Sequence, residues 1–472
     1  MNQWPPIKSR PPIVQRVFKG INKLDPFSIS PEYATDSKNI TSSKYPAMTT
    51  RPGYTVLGAA IGTKVLGIGI WKDQEVHAVF NDGTWRKWTG SAWATLISSG
   101  LDTSAEWSFC NFKGNLGDFN LIATNGVNPA KRYDGTNVVD LSGAPAGINY
   151  IDEHDNRLYG VVNGVQVSYS ELNVPSNWTT IAQNDSDPGS IKKEINTGKK
   201  IVGLKAGAGH VTVFFPTSTH ELYGTSPSDF AFVQAASDIG MLNNKCAVNN
   251  EDLVYFFGDK GNYQYGGGSR PSKNYSAVVQ WYADQVNQSA KSTSCIGTDG
   301  KNVYIALPIN SGTAPDTILE YDTTNKVWNV WNDIQAVCFA KMGNKLYIGD
   351  ALGRVLQVGG TTDNGQPIVC RRVSIPYSAA SMQQIVQWIR ASISSNIATG
   401  SSVNIYLSGQ PEGDSDWVLA STVTATNNLN SVTIQIPTTY VANAHFIRVK
   451  LEWTGQVDVR EFSYLDHQKP WR

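Results

Sequence analysis

The chain has 472 residues, with 39 Lys and Arg against 39 Asp and Glu, so its formal net charge is zero. This balance argues against a globally basic nucleic-acid-binding protein, and the length predicts two or more domains or one large closed architecture. Charged residues make up only 17%, whereas Trp (14) and Tyr (20), which favour strands, are plentiful. The composition therefore predicts an all-β protein.

Residues 1–43 are predicted to form an extended N-terminal arm. The segment has two Pro pairs and many hydroxyl and amide side chains, but no helix periodicity, sustained strand alternation or signal-peptide core. Such an arm can cross a neighbouring surface through backbone hydrogen bonds, as an added strand does. The apolar stretch at 56–71 is too short for a membrane span and carries Lys64 in its middle, so no membrane span is expected.

Residues 44–371 contain a repeated strand–turn–strand unit. Four copies place a Cys nine residues before an aromatic residue, with a polar turn between: Cys110 and Phe119, Cys246 and Tyr255, Cys295 and Tyr304, and Cys338 and Tyr347. Three weaker copies begin near 65, 147 and 201, and most spacings approach the ~40–50 residues of a four-stranded propeller blade. The repeat predicts a β-propeller of about seven blades, with six or eight left open.

The repeated cysteines are predicted to be small, buried residues on inner strands, where the blades crowd together. No CxxC pair occurs, so a disulfide framework is not expected in a chain of this length. Residues 48–58 are a candidate for the missing strand of the last blade, which would close the ring. The polar insertion at 182–200 breaks the repeat spacing and is the best candidate for a contact outside the propeller.

Residues 372–472 lose the repeat and are predicted to form a separate antiparallel sandwich of jelly-roll type. Strand alternation is clear in SVTIQIP and HFIRVKLEW, and Gly, Asn, Pro and Asp separate the apolar segments. The segments YLSGQPEGDSDW and HFIRVKLEWTGQVDVREFSYL resemble strands of discoidin-like and carbohydrate-binding sandwiches. That resemblance implies a fold more than a ligand, since such sandwiches serve as sugar binders and as spacers.

Side-chain patterns that suggest catalysis or metal binding are better explained as turns and loops. His220 and Glu221 have no second His at helical spacing, and the glycines at 266–268 lack a following Gly-Lys-Ser/Thr, which favours a flexible loop. Residues 153–155 (Glu-His-Asp) and 322–328 (DTTNKVW) fall in predicted turns. We therefore predict no catalytic residue, no metal site and no cofactor, and a protein that is not an enzyme.

The leader carries a recognisable pattern, which consists of Gly20-Ile21-Asn22, Asp36, Asn39 and Arg51-Pro52-Gly53-Tyr54. A second pattern lies in RLYGVVNGVQVSYSELNVPSNW (157–178). With both, the chain resembles tail-associated structural proteins of double-stranded DNA bacteriophages and prophages, a group that includes the propeller-type nozzle subunits of short-tailed phages. The resemblance covers the leader and the propeller and includes no active-site motif.

This resemblance implies a non-enzymatic structural subunit of a phage tail, of the nozzle, hub or adaptor type. Such a subunit is made in the bacterial cytoplasm and resides in the virion. It implies a cyclic homo-oligomer, a hexamer, that contacts other tail proteins, and closed symmetry satisfies every equivalent contact. DNA would pass through without specific binding along a near-neutral or acidic lumen. The candidate interface residues are Arg51, Tyr54, Lys192 and Lys193.

Two other function classes are considered. In the first, the protein binds a receptor or a host cell-surface glycan through the C-terminal sandwich, with Trp417 and Trp453 as candidate stacking platforms. In the second, it is a propeller glycosidase, which would need two carboxylates at a defined separation. The S-x-D-x-G-x-x-W turn that sialidase-like propellers repeat is not found in the sequence. The glycosidase is therefore the least favoured of the function classes.

Overall fold

A computed structural model of the chain describes residues 12–192, 198–207, 209–378, 385–425, 430–435 and 444–469. The chain divides into two compact units. We call the unit of Met1–Tyr54, Leu319–Asn332 and Gly359–Arg472 the sandwich unit, and the unit of Thr55–Ile318 and Asp333–Val358 the propeller unit. The described residues are mostly strands joined by turns, as the composition predicts.

The N-terminal residues contribute four short strands to the sandwich unit: β1 (Ile13–Gln15), β2 (Ala34–Lys38), β3 (Ile40–Thr41) and β4 (Met48–Thr50). The next strand, β5 (Tyr54–Val56), lies where the two units meet in sequence.

Sixteen strands form the first four sheets, each a consecutive antiparallel meander. They are β6 (Val65–Trp71), β7 (Glu75–Phe80), β8 (Trp85–Trp88) and β9 (Trp93–Ile97); β10 (Ser108–Phe112), β11 (Asn120–Thr124), β12 (Lys131–Tyr133) and β13 (Val138–Asp140); β14 (Ile148–His154), β15 (Arg157–Val162), β16 (Gln166–Tyr169) and β17 (Gly189–Ile191); and β18 (Gly203–Gly207), β19 (His210–Phe214), β20 (Thr219–Tyr223) and β21 (Ala231–Ala236).

The next three sheets continue the pattern with local changes. They contain β22 (Ala247–Asn250), β23 (Leu253–Gly258) and β24 (Gly261–Tyr265); β25 (Cys295–Thr298), β26 (Asn302–Leu307), β27 (Thr317–Asp322) and β28 (Val327–Asn332); and β29 (Ala336–Met342), β30 (Lys345–Asp350) and β31 (Val355–Val358). Strand β28 and most of β27 are counted in the sandwich unit by the division given above, although their sheet belongs to this series. The fifth sheet has three strands, and helix α1 (Gln280–Asp284) with the 3₁₀-helix Asn274–Val279 packs against β24. Two more 3₁₀-helices, Asn244–Cys246 and Lys291–Thr293, precede β22 and β25.

The seven sheets form a closed ring, which makes this part of the chain a seven-bladed β-propeller. The first strand of each sheet contacts the first strand of the next, and β29 contacts β6. Strand β5 lies beside β31 as the fourth strand of the seventh sheet, and the backbone N–H of Leu57 donates to the carbonyl of Val355 at 2.8 Å. A segment from the N-terminal side therefore completes the last blade, as predicted for residues 48–58.

Radial packing explains why alternation is weak in this part of the sequence. All five residues of β11 are buried, because neighbouring sheets cover both faces of a blade. Between the first two sheets, for example, Trp71, Trp85, Trp107 and Tyr133 share one apolar cluster. Large aromatic side chains suit these inter-blade spaces because each buries a large apolar area.

The C-terminal strands complete the sandwich unit. They are β32 (Thr362–Asp363), β33 (Gln366–Pro367), β34 (Val369–Ser374), β35 (Tyr377–Ser378), β36 (Ile385–Ile397), β37 (Ser402–Ser408), β38 (Val418–Thr424), β39 (Asn430–Gln435), β40 (Phe446–Thr454) and β41 (Val457–Lys469). One sheet has the order β3-β4-β41-β36-β39, with β1 beside β41, and the other has the order β2-β34-β40-β37-β38, with β35 beside β40.

The two sandwich sheets enclose one apolar core. Strand β37 shows the expected alternation, since Val403, Ile405 and Leu407 are buried in this core while Asn404 and Tyr406 are more exposed. Apolar residues of β36, β40 and β41 fill the same core. This arrangement is the antiparallel sandwich that the alternation of the C-terminal segments predicts.

The predicted boundaries at 43/44 and 371/372 do not coincide with the divisions of the structure. Strand β1 pairs with β41 and β2 pairs with β34, so the leader supplies strands to both sandwich sheets. Arg371 and Arg372, on either side of the second predicted boundary, both lie within β34. Short polar strands such as ATDSK (34–38) lack the alternation that would reveal their pairing.

Candidate functional site

The axis of the propeller holds the candidate site. A cavity of about 240 Å³ lies there, and residues on or next to the inner strands of six sheets line it. Gly67 and Ile68 come from β6, Gly297 comes from β25, and Phe339 comes from β29. Glycine at 67 is required by packing, since a Cβ would lie 2.9 Å from an atom of the Phe109 ring.

An ion-paired bridge crosses this axis. The Nζ of Lys245 lies 2.6 Å from Oε1 of Glu106, and the Nζ of Lys64 lies 3.0 Å from the same oxygen. These residues precede the inner strands of the fifth, second and first sheets. Because the fifth and second sheets are not neighbours in the ring, the Lys245–Glu106 pair connects opposite sides of the propeller.

The bridge sets the charge state of its members. Burial acts to raise the pKa of Glu106, but the attraction of Lys245 and Lys64 outweighs it and the pKa is lowered. Burial acts to lower the pKa of Lys245, but the neighbouring Glu106 carboxylate outweighs it and the pKa is raised. Glu106 and Lys245 are therefore both charged near neutral pH.

The four repeated cysteines lie near this axis as free, buried thiols, which confirms the prediction. The Sγ of Cys246 donates to the carbonyl of Ser294 at 3.2 Å, and the Sγ of Cys295 donates to the carbonyl of Ala336 at 3.5 Å. Each contact joins one blade to the next. Burial raises the pKa of Cys246 and of Cys338 to about 12, so these thiols stay protonated and chemically quiet.

Arg51, a predicted interface residue, is instead a fully buried residue of the sandwich unit. Its guanidinium donates to both carboxylate oxygens of Asp363 at 2.8 and 2.7 Å and to Oδ1 of Asn39 at 2.9 Å. Asn39 adopts a left-handed backbone (φ 57°), accepts from the Asn332 N–H and donates to the Val369 carbonyl. The guanidinium N–H groups of Arg51 donate to acceptors within the fold, so they are not available to a partner protein.

Other residues of the leader pattern are structural as well. Gly20 has φ +71°, and a Cβ there would lie 2.0 Å from the carbonyl oxygen of Trp328. A Cβ on Gly53 would lie 2.0 Å from the carbonyl oxygen of Thr362. Asp36 forms an ion pair with Arg371 at 2.5 Å. The pattern therefore records close backbone approaches and ion pairs within the sandwich unit.

The remaining candidate interface residues have different environments. Tyr54 is buried at the start of β5, which removes its ring from any surface contact. Lys192 is exposed within the 182–200 insertion, whereas Lys193 lies outside the described residues. Three backbone carbonyls of that insertion, those of Asp185, Ser186 and Asp187, accept hydrogen bonds at 2.6 to 3.0 Å. Their donor is the buried guanidinium of Arg157, in β15.

The two candidate sugar platforms differ in exposure. Trp453 is 2% exposed and donates from Nε1 to Thr50 at 2.9 Å, so its ring offers no face to a sugar. Trp417 is half-buried. The guanidinium carbon of Arg448 lies 4.7 Å from its ring centroid, and the Nζ of Lys450 lies 5.3 Å away. Only Trp417 remains as a candidate platform.

A second buried polar cluster surrounds Glu221 between the fourth and fifth sheets. Its Oε1 accepts from the hydroxyl of Tyr265 and from the backbone N–H of Gly268, and His210 lies 3.8 Å away. Burial acts to raise the pKa of Glu221, but these hydrogen bonds lower it overall. The glycines at 266–268 lie outside the strands, as a loop does, and the Gly268 backbone contacts this buried carboxylate.

Sequence reasoning missed the axial bridge. Glu106 lies four residues before Cys110, and Lys245 lies directly before Cys246, so both occupy the approach to an inner strand of the repeat. This shared position, just before an inner strand, is the one sequence feature that could have indicated the bridge. Within the described residues, no group of three His, Cys, Asp or Glu side chains is placed to hold a metal ion. Over the same residues, no helix has the length and apolarity needed to cross a membrane.

No protein-family model matches this chain, and no curated protein matches it. Among solved structures it is similar to BamB from Moraxella catarrhalis, at 10% identity over 62% of this chain and 93% of that one, with a TM-score of 0.39. It is also similar to the WD40 propeller domain of Doa1, at 10% identity over 65% and 96%, with a TM-score of 0.44. A third is YCF48 bound to D1 peptide, at 9% identity over 66% and 98%, with a TM-score of 0.43. The ring of seven sheets itself defines this chain as a β-propeller protein.

Proposed function

We propose that this protein is a non-enzymatic structural subunit of a bacteriophage tail, resident in the virion. Support comes from the leader pattern, in which Arg51 binds Asp363 and Asn39 while Gly20 and Gly53 permit close backbone contacts. These residues act together as one folded element. The residues on which the resemblance to phage tail proteins rests thus lie together in one unit of this chain, and this is the observation that supports the proposal.

In this proposal the path of the DNA lies between copies of the chain. The cavity on the propeller axis measures about 240 Å³, and Lys245, which lines it, is held by Glu106. Duplex DNA, whose major groove alone is about 12 Å wide, does not fit such a space. A lumen for DNA consequently requires a ring of subunits, and a cyclic hexamer with other tail proteins as neighbours satisfies every equivalent contact.

The native mass of the purified chain tests the proposal. We expect a closed oligomer at six times the chain mass of 51.5 kDa in sedimentation velocity, and a ring with a central hole in negative-stain images. A chain that stays monomeric at all accessible concentrations and in the presence of tail components contradicts the proposal. Hydrolysis of a glycan by the purified chain also contradicts it.

The alternative function, binding of a host cell-surface glycan, now depends on Trp417. Its Nε1 donates to Asp414 at 3.2 Å, and Arg448 and Lys450 flank the ring, so a sugar must use what remains of its exposed surface. Retention of the full chain on a host cell-wall fraction, lost in Trp417→Ala and kept in Trp281→Ala, would favour this function. Trp281 is the matched control because it is an exposed tryptophan of the propeller unit.

A further inference from the structure

The axial cavity is lined by basic side chains. Lys205, Lys245 and Lys341 are among its lining residues, and the lining, all of it within the described residues, contains neither Asp nor Glu. The three lysines come from the fourth, fifth and seventh sheets. Three basic residues from different sides of the ring therefore line one small space.

Nearby carboxylates neutralise only part of this charge. Glu106 binds Lys245 and Lys64, and Asp152 lies 3.9 Å from the Nζ of Lys205. The three lining lysines and Lys64 make four positive charges against the two carboxylates of Glu106 and Asp152. An excess of two positive charges therefore remains around the cavity. Glu153, which follows Asp152 in β14, lines a different groove.

The cavity lining also includes hydrogen-bond donors without an acceptor among the described residues. The Nε1 of Trp107, a residue that is 6% exposed, has no partner. Asn244 uses its Oδ1 to accept from the Leu204 N–H at 3.2 Å, which leaves its amide N–H groups available. Lys341 is exposed, and its Nζ lies beside Gly300, in the turn between β25 and β26. Buried donors normally find acceptors, so the Trp107 N–H indicates a place for one.

We propose that the axial cavity binds a small phosphate-bearing anion. Lysine residues from three sheets, together with the N–H of Trp107, suit the divergent oxygens of a phosphate, which accepts charge-assisted hydrogen bonds. The cavity, of about 240 Å³, has room for an organic group beside the phosphate. Phe109 and Phe339 on the wall can pack against the organic part of a phosphate ester. This site is independent of the proposed tail function.

Calorimetric titration of the full chain tests the site, with inorganic phosphate as the probe and chloride holding the ionic strength constant. We expect saturable binding at one site per chain. Lys341→Gln should weaken it about tenfold, as the loss of one charge-assisted contact does. Lys345→Gln is the matched control, because Lys345 is an exposed lysine at the start of β30 and does not line the cavity. It should bind like the parent protein.

Two further measurements sharpen the result. Trp107→Phe keeps the ring and removes only the N–H, so it should weaken phosphate binding while the circular dichroism spectrum stays unchanged. If phenyl phosphate binds more tightly than inorganic phosphate, the ligand of the cavity is a phosphate ester. If the two affinities are equal, the ligand is the free phosphate ion. The proposal is overturned if phosphate shows no saturable binding, or if Lys341→Gln and Lys345→Gln weaken it equally.

Discussion

Lys245 and Glu106 are separated by 139 residues, yet Nζ and Oε1 lie 2.6 Å apart across the axis of the propeller. Each residue precedes the inner strand of a blade, and the two blades are not neighbours in the ring. The pair thus fixes a distance across the ring that contacts between adjacent blades leave free. Lys64 adds a second positive charge on the same oxygen.

Removing the acid of this bridge should destabilise the propeller. In Glu106→Gln, Lys245 and Lys64 lose their counter-charge and repel each other, and we expect a loss of about 1–3 kcal/mol in the free energy of unfolding. Urea denaturation measures this loss. Glu251→Gln, a change of the same type at an exposed turn, is the control and should have almost no effect.

The bridge also predicts an acid limit. Because the pKa of Glu106 is lowered in the folded state, its stabilisation is complete above the ordinary pKa of a glutamate, about 4.3. It is lost as the pH falls through the lowered value. Glu106→Gln should therefore flatten the fall in melting temperature below pH 4.5. An unchanged slope in that range would show that the bridge does not couple to folding.

His77 predicts a second pH dependence at higher pH. Trp85 donates to its Nδ1 at 3.1 Å, so the proton of the neutral ring is on Nε2, which faces Glu75 at 3.3 Å. Burial lowers the pKa of His77 to about 4. The unfolded chain then takes up a proton first, and stability falls from pH 6.5 towards pH 4 by about 3 kcal/mol.

His77→Gln tests this assignment, since an amide oxygen can accept from Trp85 without titrating. Unfolding midpoints between pH 7 and pH 4.5 should fall less steeply in this variant than in the parent protein. Identical slopes for the two proteins would mean that His77 is not the group responsible.

The thiols should be inert in the native protein and reactive after unfolding. All five cysteines are free and buried, and burial raises the pKa of Cys370, in the sandwich unit, to about 12. We expect alkylation of the native chain to be slow and alkylation in denaturant to reach all five, as read by mass spectrometry. Fast native labelling of Cys246 or Cys295 would contradict the inner-strand placement.

Gly53 should tolerate no side chain. A Cβ would lie 2.0 Å from the Thr362 carbonyl oxygen, and the Gly53 N–H donates to the Gly360 carbonyl at 3.1 Å. Gly53→Ala should lower the free energy of unfolding by about 1–3 kcal/mol, as forced overpacking does. Gly117→Ala is the control, because a Cβ there meets nothing within 4 Å. Equal melting temperatures for the two variants would refute the close approach.

Sequence patterns of short range identified the blades but not the site on their axis. The Cys-to-aromatic offset marks a single hairpin, such as Cys338 to Tyr347, whose two strands pair directly. The same offset gave no information on which charged residue meets which across the ring. Arg51 shows the reverse error, because the leader pattern made it a candidate interface residue and the structure places it at the centre of a buried network.

The sequence by itself determined the all-β class, the repeated hairpins, the buried thiols and the alternating strands of the C-terminal sandwich. These features depend on contacts between residues close in the chain, so periodicity and spacing reveal them. Only the tertiary structure decided that β1 and β2 join C-terminal strands, that Trp453 is buried, and that Lys245 meets Glu106. Those contacts join segments more than a hundred residues apart, and no local pattern specifies the partner of a residue at such a distance.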